Sequence, residues 1–134
     1  MGVHKIEGKG RINLKKIIDR TFEKDDELIL MRVVDHFSIF TKDNFEKQIK
    51  NVAEETKLPQ RDVALYFSES ARDVSLDEQG RLQFSKQERE VGLNKEKEIY
   101  IIPLSLDGVK SLEIYPKSTY ERIMKSVEKT ISGE

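Results

Sequence analysis

Residues 4–14 read HKIEGKGRINL, and residues 74–84 read VSLDEQGRLQF. Each stretch carries an acid, two residues, a glycine and an arginine: Glu7 to Gly10-Arg11, and Asp77 to Gly80-Arg81. The echo continues outward. Residues 27–30 (ELIL) match 98–101 (EIYI), and 37–46 (FSIFTKDNFE) match 112–121 (LEIYPKSTYE). A duplicated unit this short cannot bury its apolar face alone, so the two copies are expected to pack on each other. The pair also presents one turn and one arginine twice, a geometry suited to a repetitive ligand.

The pattern between the echoes predicts the elements. Residues 3–7 and 11–14 alternate around Gly8-Lys9-Gly10, which reads as a tight hairpin whose glycines supply positive φ. Residues 15–22 suit a short helix with Ile17, Ile18 and Phe22 inward. The nearly continuous apolar run 28–33 reads as a buried strand, with 37–40 as its partner. Thr41 opens a helix through Phe45, Ile49, Val52 and Ala53, and Pro59 breaks it. A further helix over 61–68 stands between the copies. The second copy repeats the order: a hairpin from 73–77 and 81–84, a helix opened by the capping box Ser85…Glu88, strands 98–102 and 112–115, and a last helix after Pro116. That helix shows Tyr120, Ile123, Met124, Val127 and Ile131 on one side. The chain therefore divides into a first unit at 1–56, a linking helix at 57–72 and a second unit at 73–134, all within one domain. The class is α+β with a mainly β core.

Composition narrows the chemistry. Apolar and charged residues each make up 37% of the 134 residues, a balance that favours stabilisation by self-association. There is no cysteine, so disulfides and thiolate chemistry are excluded. No apolar run approaches the ~20 residues of a membrane span, and the start lacks the apolar segment of a signal peptide. A cytoplasmic protein is expected. His4, on the first strand, and His36, in a turn, lack metal-ligand spacing, so both are assigned structural roles. The phosphate-loop pattern is incomplete at Gly8-Lys9-Gly10-Arg11. No catalytic residue, metal or cofactor is expected.

The charges are unevenly placed. The whole chain holds 24 basic and 25 acidic residues, a net charge of −1. Around the first turn, Lys5, Lys9, Arg11, Lys15, Lys16 and Arg20 outnumber Glu7 and Asp19 by four. Around the second, Arg81, Lys86 and Arg89 fall one short of Asp77, Glu78, Glu88 and Glu90. Arginine carries a permanent charge on a planar fork suited to phosphates and guanine edges, and a two-stranded hairpin is narrow enough for a DNA major groove. Alternatively, Arg11 and Arg81 each pair with the acid four residues earlier, Glu7 or Asp77, and staple their own hairpins. Both alternatives are open at this point.

At these residues the chain resembles the MraZ family of bacterial transcription regulators, built from two SpoVT/AbrB-like units. The family's Asp-x-x-Gly-Arg motif is similar to EGKGR (7–11) and DEQGR (77–81). LYFSESARDVSLDEQGRL (65–82) resembles its middle segment, HKIE (4–7) its opening strand, and LEIYPKSTYE (112–121) its closing strand and helix. The likeness covers nearly the whole chain in order. It implies a double-split β-barrel of two ββαββα-like repeats with outer helices. It also implies a homo-oligomeric ring and binding of double-stranded DNA at direct repeats in the promoter of the division and cell-wall gene cluster, hence a nucleoid-associated protein. The main DNA contact maps to Arg11, with Lys9 at the turn tip; Lys5, Lys15 and Lys16 are the expected phosphate contacts and Arg81 the second-copy counterpart. Glu7, Gly8, Gly10, Asp77 and Gly80 are the motif positions. The chain departs from the family pattern at Glu7, at Leu14-Lys15 and Phe84-Ser85 where Ile-Pro stands in the family, and at Glu88, where the family has an apolar residue. A second expectation from another class is a ring-forming protein-interaction module with no DNA target, acting through Asp77, Glu78, Glu88 and Glu90.

Overall fold

The computed structural model describes residues 3–8, 10–23, 27–93 and 97–133. In order, the elements are β1 (Val3–Lys5), β2 (Arg11–Asn13), α1 (Lys15–Thr21), β3 (Leu28–Val33), β4 (His36–Thr41), α2 (Lys42–Thr56), α3 (Gln60–Glu69), β5 (Ala71–Val74), β6 (Arg81–Gln83), α4 (Lys86–Glu88), β7 (Glu98–Leu106), β8 (Val109–Pro116) and α5 (Lys117–Ser132). A π-helical turn, Arg89–Leu93, prolongs α4.

The strands form a six-stranded antiparallel sheet, ordered β1-β7-β8-β4-β3-β5, and a separate ribbon of β2 and β6. The molecule is thus α+β with a mainly antiparallel sheet, and its copies are interlocked. β1 of the first copy pairs with β7 of the second, while β5 of the second pairs with β3 of the first. β4 and β8 meet at the centre. This corrects the expectation of two self-contained hairpins. Among the described residues the first arm ties to the second only at the turn, where the bridge Glu7↔Arg11 forms. The arms then part because the apolar side chains of both second arms, Ile12, Leu14, Leu82 and Phe84, bury together.

Side-chain alternation puts the sheet between two layers. Leu30, Phe37, Ile39, Ile99, Ile101, Leu112 and Ile114 face the ribbon, α1 and Leu93. Met31, Phe40 and Val109 face Phe45, Ile49 and Ala53 of α2 and Val63 of α3. Burial on both faces explains the unbroken apolar run of β3. Thr41 caps α2 by accepting the Asn44 N–H at 3.2 Å, and Asn44 Oδ1 in turn accepts the Lys110 N–H at 2.8 Å.

Two elements differ from expectation. β7 and β8 run on to a two-residue turn at Asp107-Gly108, with φ of 52° and 78°. Asp-Gly between strand-like runs is a strong hairpin signal, and here it joins the two longest strands. His36 belongs to β4 rather than to a turn. Its ring lies 4.2 Å from Tyr115, stacked at 14°. Nδ1 contacts Asp35 at 3.0 Å and Nε2 contacts Glu113 at 3.1 Å. Carboxylates only accept, so both bonds require both N–H groups and hence the imidazolium. Burial lowers the pKa of this ring, but the hydrogen bonds to Glu113 and Asp35 prevail and raise it above 6.5.

A raised folded-state pKa gives stabilisation that is complete below the unfolded value and is lost as pH rises through the folded value. Unfolding free energy is therefore expected to decline from about pH 6 upwards. His36→Gln should flatten that part of the profile in denaturant titrations. An unaltered slope in the variant would show that His36 is not the titrating group.

Candidate nucleic-acid interface

Three residues per strand make the ribbon: Arg11 opposes Gln83, Ile12 opposes Leu82, and Asn13 opposes Arg81. Alternation turns Ile12 and Leu82 inward and leaves Arg11, Asn13, Arg81 and Gln83 on the outer face. Two further backbone bonds close its ends, Leu14 N–H to Gly80 O and Phe84 N–H to Gly10 O, both 2.9 Å. A turn stands at each end: Gly10 N–H donates to Glu7 O at 3.1 Å, and Gly80 N–H donates to Asp77 O at 2.9 Å.

Gly10 and Gly80 have φ of 78° and 79°, where a side chain is strained. Both are also covered by a basic stem from the opposite copy. A Cβ on Gly10 would lie 2.3 Å from Arg89 Cδ, and one on Gly80 would lie 2.5 Å from Lys15 Cβ. Gly8 needs neither freedom, since its φ is not positive and a Cβ there would meet open space. This corrects the expectation that both glycines of the first turn serve its geometry.

The two arginines are not equivalent. Arg81 Nε donates to Asp77 at 3.0 Å and its Nη1 to Glu7 at 3.4 Å. Asp77 Oδ1 also accepts the N–H groups of Gln79 and Arg81, each at 2.9 Å. The Arg81 backbone N–H, followed by its guanidinium, holds the Asp77 carboxyl below its usual range. Stapling thus describes Arg81, and it consumes the acids of both turns. Arg11 has no acid partner among the described residues, and its Nε is buried without a hydrogen bond. Arg89 Nε is in the same condition. Arg89 was counted with the second copy by sequence, yet its stem crosses the first turn. No spacing rule reveals that crossing, which depends on the interlocked ribbon.

The remaining expected contacts are dispersed. Lys15 and Lys16 are exposed at the start of α1, and Lys15 N–H donates to Asn13 Oδ1 at 3.3 Å. Lys5 is exposed on β1, in the sheet rather than the ribbon. Lys9 lies outside the described residues. On the second-copy side, Glu88 is held by Arg72 through two contacts of 2.9 Å and by the Ser85 N–H at 2.7 Å. Burial opposes its ionisation, but those bonds prevail and lower its pKa. This accounts for an acid at a position where an apolar residue was expected. Of the four acids in the supposed acidic patch, Asp77 and Glu88 are engaged by arginines. Among the described residues no cluster of metal-ligating side chains occurs, and no helix is long and apolar enough to cross a membrane.

No protein-family model matches the chain, and no curated protein matches it.

Gly10→Ala is expected to cost more than about 1 kcal/mol, from left-handed strain and the displaced Arg89 stem. Gly8→Ala should stay within about 0.5 kcal/mol of the parent. Urea titration of both variants checks the difference, and equal losses would contradict the assigned turn.

Proposed function

We propose that this chain is a sequence-specific DNA-binding regulator of the MraZ type, a double-split β-barrel in which the ribbon lies across the sheet. The observation that carries the reading is the pair of arginines at the first turn, Arg11 and Arg89, which lack acid partners among the described residues while Glu7 and Asp77 both serve Arg81. Buried guanidinium nitrogens without partners favour an anion nearby, and a DNA phosphate or a guanine edge supplies matched acceptors. Lys5, Lys9, Lys15 and Lys16 add phosphate contacts and hence a steep dependence on salt.

A chain of net charge −1 binds DNA through this local field only if several first turns act together. Assembly in a closed oligomer raises avidity by a factor on the order of 10² without any new contact per subunit. Repeated promoter elements of the division and cell-wall gene cluster are the fitting target, which places the protein on the nucleoid. No observation favours the alternative protein-binding patch, because half of its acids are already paired. Catalysis has no part in this reading.

Arg11→Ala and Arg81→Ala each remove one positive charge, so the long-range field changes equally. The loss of a direct contact should separate them. Arg11→Ala is expected to weaken DNA binding by about 10-fold or more, from a contact of about 1–3 kcal/mol. Arg89→Ala should follow it, and Arg81→Ala should lose far less. Mobility-shift titrations with DNA selected from a random pool measure the series. Equal losses at Arg11 and Arg81 would remove the basis for assigning the first turn.

A further inference from the structure

Asp35 stands between two cations. It lies in the turn after β3, and His36 Nδ1 reaches its Oδ1 at 3.0 Å. Arg122, on the first half of α5, reaches its Oδ2 at 3.5 Å. The Asp35 side chain is 42% exposed, so water has access to it. The other partner of His36 is more enclosed. Glu113 is 13% exposed, its Oε1 also accepts the Ser38 hydroxyl at 2.8 Å, and its Oε2 is buried without a hydrogen bond.

The remaining neighbours of the ring are uncharged. Val33, its cross-strand partner on β3, is apolar. Tyr115 of β8 is stacked on the ring, and burial, followed by Glu113 and Asp35, raises its pKa, so it stays neutral. From α5, Tyr120 lies 6.3 Å from Tyr115 and stacks on Tyr100 of β7 at 4.2 Å. Lys117 of α5 is paired with Glu98 of β7 at 3.6 Å.

An imidazolium serves both carboxylates, because it donates from both nitrogens. A neutral imidazole keeps one N–H. Glu113 takes it, since water replaces the lost bond readily at Asp35 but not at the enclosed carboxylate. Asp35 then faces a lone pair on Nδ1, and its charge is left to Arg122. We propose that His36 and Arg122 compete for Asp35, so that loss of the His36 proton hands this carboxylate to the outer helix and tightens the hold on α5. The distances fit that order, with the imidazolium close to Asp35 and Arg122 further off. Rising pH therefore acts in opposite senses on the sheet, which loses a bond, and on the helix, which gains one. The response is graded, since the Tyr120 stack and the Lys117 pair do not involve Asp35. It is independent of DNA binding. The coupling is also reciprocal: a cation at position 122 opposes protonation of His36.

The absence of cysteine allows a single nitroxide to be attached at Ser126→Cys, an exposed position on α5 beyond these anchors. Between about pH 5 and about pH 8 its paramagnetic resonance spectrum should show motion slowing as pH rises, with the midpoint of the His36 ring protons in NMR titrations. The slowing should be about twofold, as suits one exposed ion pair. His36→Gln, which cannot gain a proton, should be flat at the slower motion and identifies the His36 resonance. Arg122 is 71% exposed, so Arg122→Ala should keep the parent circular dichroism spectrum. It should abolish the response, and His36 should bind its proton about twofold more tightly. Arg122→Lys should restore part of the response. Motion in the parent that is flat over this range, or that quickens as pH rises, would overturn the proposal. So would a His36 midpoint that Arg122→Ala leaves in place.

Discussion

The pairing of Ile12 with Leu82 is the constraint on which the other features depend. Each second arm lies on its counterpart from the other copy instead of on its own first arm. The two first arms are thereby released, and each joins an edge strand of the opposite copy. β1 goes to β7, β5 goes to β3, and the central strands acquire cover on both faces. The benefit is mostly apolar burial. Ile12, Leu14, Leu82 and Phe84 are each at most 1% exposed, and full burial of such a side chain contributes roughly 1.5–3 kcal/mol. Their four backbones need only the short ribbon and its two flanking hydrogen bonds.

The same crossing separates two arginines that the sequence presents as twins. It brings the acids of both turns within reach of Arg81 and carries the Arg89 stem over Gly10. One end of the ribbon becomes an internally neutralised staple and the other keeps its cations. Exposed ion pairs contribute little to stability, on the order of 0–1 kcal/mol. Their larger effect here is on the distribution of potential over the outer face.

Much of this was legible in the sequence, and the limits have a physical origin. Repeats, helices and most strands follow from local periodicity: the Thr41 start of α2, the capping box of Ser85 and Glu88, and the continuous apolar run of β3 all stand where pattern places them. The positive φ of Gly10 and Gly80 follows from the turn chemistry. What local pattern does not encode is which strand becomes a neighbour. An alternating arm beside a glycine turn has the same pattern whether it folds back on its own partner or crosses to another. For that reason the split hairpins, the swap of Arg89 and Lys15 between turns, and the donation of Glu7 to Arg81 emerged only in three dimensions. The setting of His36 was hidden likewise, since Glu113 is remote in sequence.

The exchange of first strands has a consequence for how the chain is made. During synthesis residues emerge from the ribosome in order, and β1 waits for β7, near the far end of the chain, before its edge is satisfied. β2 likewise waits for β6. The earlier half cannot settle into a finished unit while the later half is being translated. Its apolar strands β3 and β4 therefore lack their full cover until the second copy has emerged.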